Sequence, residues 1–299
     1  MGSYAGYKGY GASVADELGR RDRNEFYNIP KDDFLSISPT PFAHPQILHN
    51  KKSLITSFTH NSHTLCTLLL NHLNTHLHLP PLTLQNLHKL ANPSGDQIRL
   101  IKAPPQPPSD LRTSLGKHTD FGSLTLLFNR LGGLQILPPP SLIPEGQKAE
   151  WTYVKPLPGH CIVNLGDAMS KFTRGVLRSN IHRVVSPPGE QAEYERWSVV
   201  YFMRPGDDVA LKPLESDAIP KTEGKKMGGD IGGWIWGEGE EEEEEEEMTA
   251  KEWILLQALR LRGKAGRGNG VNEYGKGKGI DEMSGEERKK LWDASGRGI

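Results

Sequence analysis

The segment His118-Thr119-Asp120-Phe121-Gly122-Ser123-Leu124-Thr125-Leu126-Leu127 opens a region in which short apolar runs alternate with turns. Gly132-Gly133, Pro158-Gly159 and Pro187-Pro188-Gly189 mark the turns. Many short strands at close spacing are typical of a jelly-roll or a barrel. The predicted strands cover residues 98–101, 124–128, 134–137, 151–156, 161–165, 182–185 and 197–203.

The sequence on either side of this region favours helices. Apolar residues recur at three-to-four spacing from residue 45 towards residue 90, interrupted by Pro80-Pro81, so a short second helix is expected over 82–90. Residues 1–35 are interpreted as an irregular lead-in. A further helix is expected from Thr249, a candidate N-cap with Glu252 at the capping-box position, to about residue 262. The predicted fold is therefore mainly β with flanking helices.

Three regions are expected along the chain. Residues 1–92 form an N-terminal helical and irregular region, 93–215 a jelly-roll core, and 216–299 an acidic loop, a C-terminal helix and a flexible tail. The run of eight glutamates at 240–247 repels itself, which predicts a disordered loop. A short helix is expected near 286–292.

Composition limits the partners that are expected. The formal net charge of the 299 residues is −1, which does not favour nucleic acid or a membrane surface. Two cysteines are too few for a disulfide framework. No apolar run approaches the roughly 20 residues that span a bilayer. We expect a cytoplasmic protein with a small-molecule substrate. The sequence gives no prediction of the oligomeric state.

A metal site is predicted from three residues. His118 and Asp120 are two residues apart, so on a strand or its edge their side chains leave the same face. His182 belongs to a later predicted strand that a jelly-roll can bring alongside. Two imidazoles and one carboxylate form the facial set that binds Fe(II) and leaves positions open for O₂ and a co-substrate. In isolation, His118 and Asp120 are also compatible with a surface turn.

Arg196 and Ser198 form a second candidate site. Residues two apart on a strand share a face, and a guanidinium with a nearby hydroxyl can bind a carboxylate. A buried strand should not contain an arginine without an anionic partner. The alternative is a structural salt bridge at the start of the strand.

Other clusters of chemically reactive residues have simpler interpretations. Eight of the eleven histidines lie between His44 and His88, and His72 and His76 are spaced for a shared zinc ion. Without an acidic or cysteine ligand beside them, we interpret both as exposed. His160 is also expected to be exposed, and Cys66 and Cys161 are expected to pack.

Residues 116–205 resemble the isopenicillin N synthase-like branch of the 2-oxoglutarate- and Fe(II)-dependent dioxygenases, especially its fungal members. Weaker similarity covers Gly9 to Leu90 and the predicted C-terminal helix. Besides the opening segment, the matching motifs are Gly132-Gly133-Leu134-Gln135, Pro156-Leu157-Pro158-Gly159, Val163-Asn164-Leu165-Gly166-Asp167, Ser179-Asn180-Ile181-His182-Arg183-Val184 and Arg196-Trp197-Ser198.

This resemblance implies a double-stranded β-helix that packs on helices. It implies that His118, Asp120 and His182 bind iron and that Arg196 and Ser198 bind the distal carboxylate of 2-oxoglutarate. The implied reaction consumes O₂, converts 2-oxoglutarate to succinate and CO₂, and oxidises a small organic substrate, with ascorbate in a supporting role. Secondary metabolism is the expected setting, and hydroxylation or desaturation the expected outcome.

Two departures from the family pattern leave alternatives open. Family members usually have a tyrosine that assists 2-oxoglutarate where this chain has Ala103. The N-terminal region is expected to be shorter than in the family. The alternatives are an oxidase that does not use 2-oxoglutarate and a degenerate jelly-roll that only binds. Candidate residues for the pocket wall are Phe121, Phe172, Arg174 and Arg178, and each is equally compatible with ordinary packing or an exposed position.

Overall fold

The computed structural model describes residues 5–16, 18–107, 109–110, 112–139, 142–221 and 247–266. Over these residues the chain forms two antiparallel sheets, and helices pack on the larger one. Two predicted features, the glutamate run up to Glu246 and the helix near 286–292, lie outside the described residues.

The larger sheet has six strands in the order β1-β2-β3-β10-β5-β8. At its centre, β10 pairs with β3 through seven residues and with β5 through six. The strands are β1 (Gly6–Lys8), β2 (Glu25–Pro30), β3 (Gln97–Ala103), β5 (Leu124–Asn129), β8 (Ile162–Leu165) and β10 (Arg196–Met203).

The smaller sheet has four strands in the order β4-β9-β6-β7. Its register shifts between Leu115 and His118, where β4 pairs with β9. The strands are β4 (Leu115–His118), β6 (Leu134–Ile136), β7 (Thr152–Tyr153) and β9 (His182–Val184).

The helices cover one face of the larger sheet. They are α1 (Lys31–Phe34), α2 (Gln46–His49), α3 (Lys52–His76), α4 (Thr83–Leu87), α5 (Asp167–Phe172) and α6 (Ala250–Gly266). Leu70 of α3 belongs to the same buried cluster as Leu126 of β5 and Tyr201 of β10. Among the described residues, no helix combines the length and the apolar character that crossing a bilayer requires.

Because strand side chains alternate between faces, β10 divides the molecule into two sides. Tyr201 and Met203 point towards the helices and are fully buried in the core cluster. Arg196 and Ser198 point to the opposite face, which lies towards the smaller sheet. We refer to this second face of the larger sheet as the site face.

The mainly β fold with flanking helices is confirmed, and several element predictions need correction. Residues 1–35 were expected to be irregular, which is wrong, because β1 and β2 pair there with each other and with β3. Strand β4 was not predicted, the strand over 151–156 contains only Thr152–Tyr153, and the helix expected to end near 262 continues to Gly266. Such short strands form through pairing with distant segments, and local apolar pattern does not report that pairing. The boundaries of the three regions stay predictions.

Candidate functional site

His118 and His182 lie directly opposite each other on neighbouring strands of the smaller sheet. His118 ends β4 and His182 begins β9, and the two residues are paired in register. Their ring centroids are 4.2 Å apart. Asp120 lies in the turn between β4 and β5, so it bridges the two sheets. The structure therefore brings together the three residues that the sequence singled out.

The donor atoms of these three side chains converge. Oδ1 of Asp120 lies 3.9 Å from Nε2 of His118 and 3.9 Å from Nε2 of His182. One donor atom from each residue lies within 4.8 Å of the others. The Nδ1–H of His118 donates to the carbonyl of Gly116 at 2.8 Å, and that of His182 donates to the carbonyl of Asn180 at 3.0 Å. Because each Nδ1 is used in this way, the lone pair of each Nε2 is available to a metal ion.

The second oxygen of Asp120 is fixed by two side chains of the larger sheet. Thr125 Oγ1 and Asn164 Nδ2 each donate to Oδ2 at 2.7 Å. The two donors lie opposite each other on β5 and β8. These bonds leave Oδ1 as the oxygen that faces the imidazoles. Sequence reasoning missed both donors, although Thr125 and Asn164 each lie within a segment that matches the family.

The electrostatics of the cluster favour the metal-binding protonation states. Burial and the neighbouring His182 lower the pKa of His118 to about 4, so its ring is neutral near pH 7. Burial acts to raise the pKa of Asp120, but His182, His118 and the two hydrogen bonds together hold it below its usual value. A neutral imidazole and an ionised carboxylate are the forms that bind metal.

The turn that contains Asp120 is held by close backbone contacts. The N–H of Asp167 donates to the carbonyl of Asp120 at 2.8 Å, and the N–H of Gly166 donates to that of Ser123 at 3.1 Å. A Cβ at Gly166 would lie 2.2 Å from the carbonyl oxygen of Gly122, so no larger residue fits there. From the other side, the Trp253 indole N–H of α6 donates to the carbonyl of Phe121 at 3.2 Å.

The carboxylate of Asp167 adds a side-chain contact to this turn. It accepts a hydrogen bond of 3.0 Å from Thr119 Oγ1, between the two candidate ligands His118 and Asp120. Burial raises the pKa of Asp167 to about 6. The position of Asp120 is therefore set by its own hydrogen bonds and by those of its neighbours.

The donor set fits a single Fe(II) ion. Two imidazole nitrogens and one carboxylate oxygen lie within reach of one ion, and the second carboxylate oxygen is already occupied by protein donors. This combination is the 2-His-1-carboxylate set of non-haem iron sites. His118, Asp120 and His182 would hold the ion.

Arg196 is a buried cation without an acidic partner in the described part of the chain. Its side chain is 4 % exposed. Nε donates to the carbonyl of Gly132 and Nη1 donates to Ser198 Oγ, each at 2.8 Å. Among described residues, nothing accepts from its buried Nη2. Burial lowers the pKa of Arg196 to about 10, which remains high enough for a charged side chain at pH 7.

This unsatisfied donor implies an anionic ligand. An uncompensated buried guanidinium is costly, and a carboxylate that accepts from Nη2 would remove that cost. Ser198 pairs with Asn129, which shares a face of β5 with Thr125, so Arg196 and the donors to Asp120 line the same side of the sheet. Ala103 lies opposite Arg196 in register and contributes no hydroxyl there.

Comparison with known proteins agrees with this geometry. Residues 94–205 match the model of the 2OG-Fe(II) oxygenase superfamily. The 2-oxoglutarate-dependent dioxygenase iboH of Amanita muscaria is 34 % identical over 58 % of this chain and 82 % of its own length. The chain belongs to the 2OG-Fe(II) oxygenase superfamily. A 2-oxoglutarate-dependent dioxygenase of Aspergillus fumigatus is also 34 % identical, over 71 % of this chain.

The superfamily fold is also found among solved structures. A full-length Neurospora crassa protein solved in complex with alpha-KG matches 85 % of this chain and 75 % of its own, with a TM-score of 0.65 and 19 % identity. This match confirms the jelly-roll fold. The chain spans 58 % of the length of the Aspergillus fumigatus relative.

Several other candidates have simpler roles. Phe172, a candidate for the pocket wall or for ordinary packing, packs in the helix-side core, where it is fully buried. Arg174 donates to the carbonyl of Pro220 at an exposed position. His72, His76 and His160 are exposed, as predicted, and Cys66 is buried.

Proposed function

We propose that this chain is a 2-oxoglutarate-dependent Fe(II) oxygenase that oxidises a small organic molecule. The observation that carries the proposal is the pairing of two complementary sites between the sheets. Three metal donors converge at the edge of the smaller sheet. Arg196, a buried arginine without an acidic partner in the described part of the chain, lies on the site face of the larger sheet. An oxidase that does not use 2-oxoglutarate and a degenerate jelly-roll that only binds are not favoured, because the named relatives are 2-oxoglutarate-dependent dioxygenases.

Each residue has a defined task in this reaction. When bound, Fe(II) supplies the activation of O₂ that couples decarboxylation of 2-oxoglutarate to C–H oxidation. Thr125 and Asn164 keep Oδ1 of Asp120 turned towards the imidazoles. Arg196 and Ser198 bind the distal carboxylate of 2-oxoglutarate, which orients the co-substrate towards the metal site.

The finer features of the activity follow from the family resemblance. We expect hydroxylation or desaturation of a substrate of secondary metabolism, with ascorbate supporting turnover. We also expect a cytoplasmic protein that binds neither nucleic acid nor membrane.

Succinate formation tests the proposal. The purified protein is loaded anaerobically with Fe(II) and then supplied with 2-oxoglutarate, ascorbate and air. Slow succinate formation without added substrate is expected, and it should disappear in Asp120→Ala. An Asp16→Ala variant, which changes a carboxylate bound to Arg20 at the surface, should keep the wild-type rate. Iron binding without succinate formation would contradict the proposal.

A further inference from the structure

Helix α5 begins directly beside the turn that contains two of the metal donors. Asp167, its first residue, accepts a hydrogen bond of 3.0 Å from Thr119 Oγ1. Thr119 lies between His118 and Asp120, and the backbone N–H of Asp167 donates to the carbonyl of Asp120 at 2.8 Å. The start of α5 therefore fixes both the backbone and a side chain of this turn.

The same helix also contacts the segment that leads to the third metal donor. Ser170 Oγ accepts a hydrogen bond of 2.9 Å from the N–H of Ser179. The next residue, Asn180, provides the carbonyl that accepts from the ring of His182. Residues three apart on a helix are neighbours on its surface, so Asp167 and Ser170 lie on the same side of α5. This side of α5 thus bridges the two segments that bring the three donors together.

The opposite side of α5 is anchored in the apolar core. Ala168, Met169 and Phe172 are each 1 % exposed or less and belong to the helix-side cluster. Asp167 and Ser170 are buried as well, each 2 % exposed. Protein interiors are closely packed, so a helix held in this way cannot shift without displacing its neighbours. α5 is therefore a rigid support for the two segments that it contacts.

A single short segment, residues 164–170, supplies several of the polar groups that hold the metal donors. Asn164 donates to Oδ2 of Asp120, and Asp167 follows it by three residues. A carboxylate is costly to bury, so its presence at position 167 indicates a role that an apolar side chain could not fulfil. Accepting the hydroxyl of Thr119, between two metal donors, is such a role.

We propose that Asp167 and Ser170 are positioning residues of the metal site, which set the distance between the turn at 118–120 and His182 and thereby the affinity for Fe(II). This inference rests on the proposed function, because it assigns both residues to the iron site of that function. Removing a group that holds a metal ligand typically changes metal affinity about 10- to 100-fold. A purely structural role would change only the stability of the fold.

Metal binding measured without turnover tests this role. Calorimetry of the full chain, free of metal and of 2-oxoglutarate, measures the Kd for Co(II), whose visible absorption also reports its ligands. Thr119→Val loses the donor to Asp167, so the Kd should rise about 10- to 100-fold. Thr119→Ser keeps the hydroxyl and should bind Co(II) as the wild type does. The Co(II) spectrum at saturating metal should change in Thr119→Val and not in Thr119→Ser.

Two further variants test the carboxylate and the second contact. Asp167→Ala removes the acceptor, and its effect on the Kd should not add to that of Thr119→Val, because both remove the same hydrogen bond. Ser170→Ala removes the acceptor of the Ser179 N–H and should weaken Co(II) binding about tenfold or more. If Asp167→Ala does not fold, as judged by its thermal unfolding, the two Thr119 variants decide the role of Asp167.

Thr173→Val is the matched control at the far end of α5. Thr173 is fully buried, and its hydroxyl donates to the carbonyl of Met169 at 2.8 Å and accepts from the Leu177 N–H at 3.0 Å. This variant should lose stability and still bind Co(II) as the wild type does, because the bonds it loses do not involve the segments of the metal donors. An equal loss of Co(II) affinity in Thr173→Val and Thr119→Val would overturn the proposal.

The possible failures of the two proposals differ in this experiment. Wild-type Co(II) affinity in Thr119→Val or in Ser170→Ala, with only a lower melting temperature, would overturn the positioning role. Failure of the wild type to bind Co(II) would instead contradict the proposed function. Absence of succinate from a wild type that binds Co(II) would also contradict the proposed function, and it would leave the effects of the variants on Co(II) binding intact.

Discussion

The two faces of β10 differ in how completely their side chains satisfy one another. On the helix side, Tyr201 is fully buried and donates to Asp96 Oδ2 at 2.8 Å, and Met203 lies in the apolar core. On the site face, Arg196 is almost as deeply buried, yet its Nη2 has no acceptor in the described part of the chain. The hydroxyl of Tyr201 is satisfied by the protein itself, whereas the guanidinium of Arg196 requires a ligand.

This difference predicts which property each substitution changes. A substitution on the helix side should reduce the free energy of unfolding and leave the chemistry of the folded fraction intact. A substitution on the site face should reduce metal or co-substrate binding at little cost in stability, because the ligand, not the packing, compensates the polar groups there.

The largest effect is expected from His182→Ala. Removing a residue that only supports a metal ligand typically reduces activity about 10- to 100-fold. Loss of a ligand itself should therefore reduce Fe(II)-dependent succinate formation by more than about 100-fold. The melting temperature of the metal-free protein should change little, because the ring is partly exposed. Activity assays and calorimetry measure the two quantities. Wild-type turnover in this variant would refute the metal site.

Leu126→Ala should have the next largest effect, and this effect should be on the free energy of unfolding. Leu126 is fully buried on the helix side, opposite Tyr201. Truncation should lower the free energy of unfolding by about 2–5 kcal/mol. Urea titration measures this loss, and succinate formation per folded molecule should remain unchanged. Leu127→Ala is the matched control on the site face, where partial exposure should make the loss smaller.

Arg196→Met should raise the KM for 2-oxoglutarate about 10- to 150-fold, because a charged hydrogen bond contributes about 1.5–3 kcal/mol. The same variant should unfold at an equal or higher urea concentration when 2-oxoglutarate is absent, because an uncompensated buried charge has been removed. A loss of stability with an unchanged KM would mean that Arg196 has a structural role.

The chemistry of this chain was easier to predict than the architecture that supports it. His118, Asp120 and His182 stand out because metal binding restricts residue types and spacing. The capping box of α6 was equally predictable, since the Glu252 N–H donates to Thr249 Oγ1 and the Thr249 N–H to Glu252. These signals are local or depend on residue identity, so a sequence displays them directly.

The missed features depend on pairing between distant segments. β1 and β2 become strands because they extend the sheet from β3, some 70 residues further along the chain. Thr125 and Asn164 act on Asp120 only because β5 and β8 are adjacent in register. No local pattern in one sequence reports such a register.

Stability should also depend on pH through His88 on the helix side. This side chain is buried, with its Nδ1–H donating to the carbonyl of Leu84 at 2.6 Å and its Nε2 2.7 Å from Ser123 Oγ. Burial lowers the pKa of His88 to about 4, from 6.5 in the unfolded chain. The unfolded state therefore binds more protons between these values, so stability is full above pH 6.5 and falls as the pH drops towards 4.

This pH effect can be isolated with a variant. The wild type should lose about 2 kcal/mol between pH 7 and pH 5 through His88 alone. His118 contributes in the same direction, so the informative quantity is the difference in pH slope between the wild type and His88→Gln, from urea titrations of metal-free protein. Equal slopes would mean that His88 is not neutral in the folded state.

The smallest effect concerns Ala103, where the site face lacks the hydroxyl that is usual in the family. Ala103 lies opposite Arg196, and the Cβ atoms of such pairs are about 4.5–5.5 Å apart. Ala103→Tyr should therefore lower the KM for 2-oxoglutarate about two- to tenfold, the effect of one added hydrogen bond of ordinary strength, about 0.5–1.5 kcal/mol. Ala103→Phe is the matched control, with the same ring and no hydroxyl. If both variants changed the KM alike, ring packing would be responsible, and the polar groups present at Arg196 would already be sufficient for the co-substrate. An improvement in the tyrosine variant alone would mean that this end of the site face is incomplete without a donor at position 103.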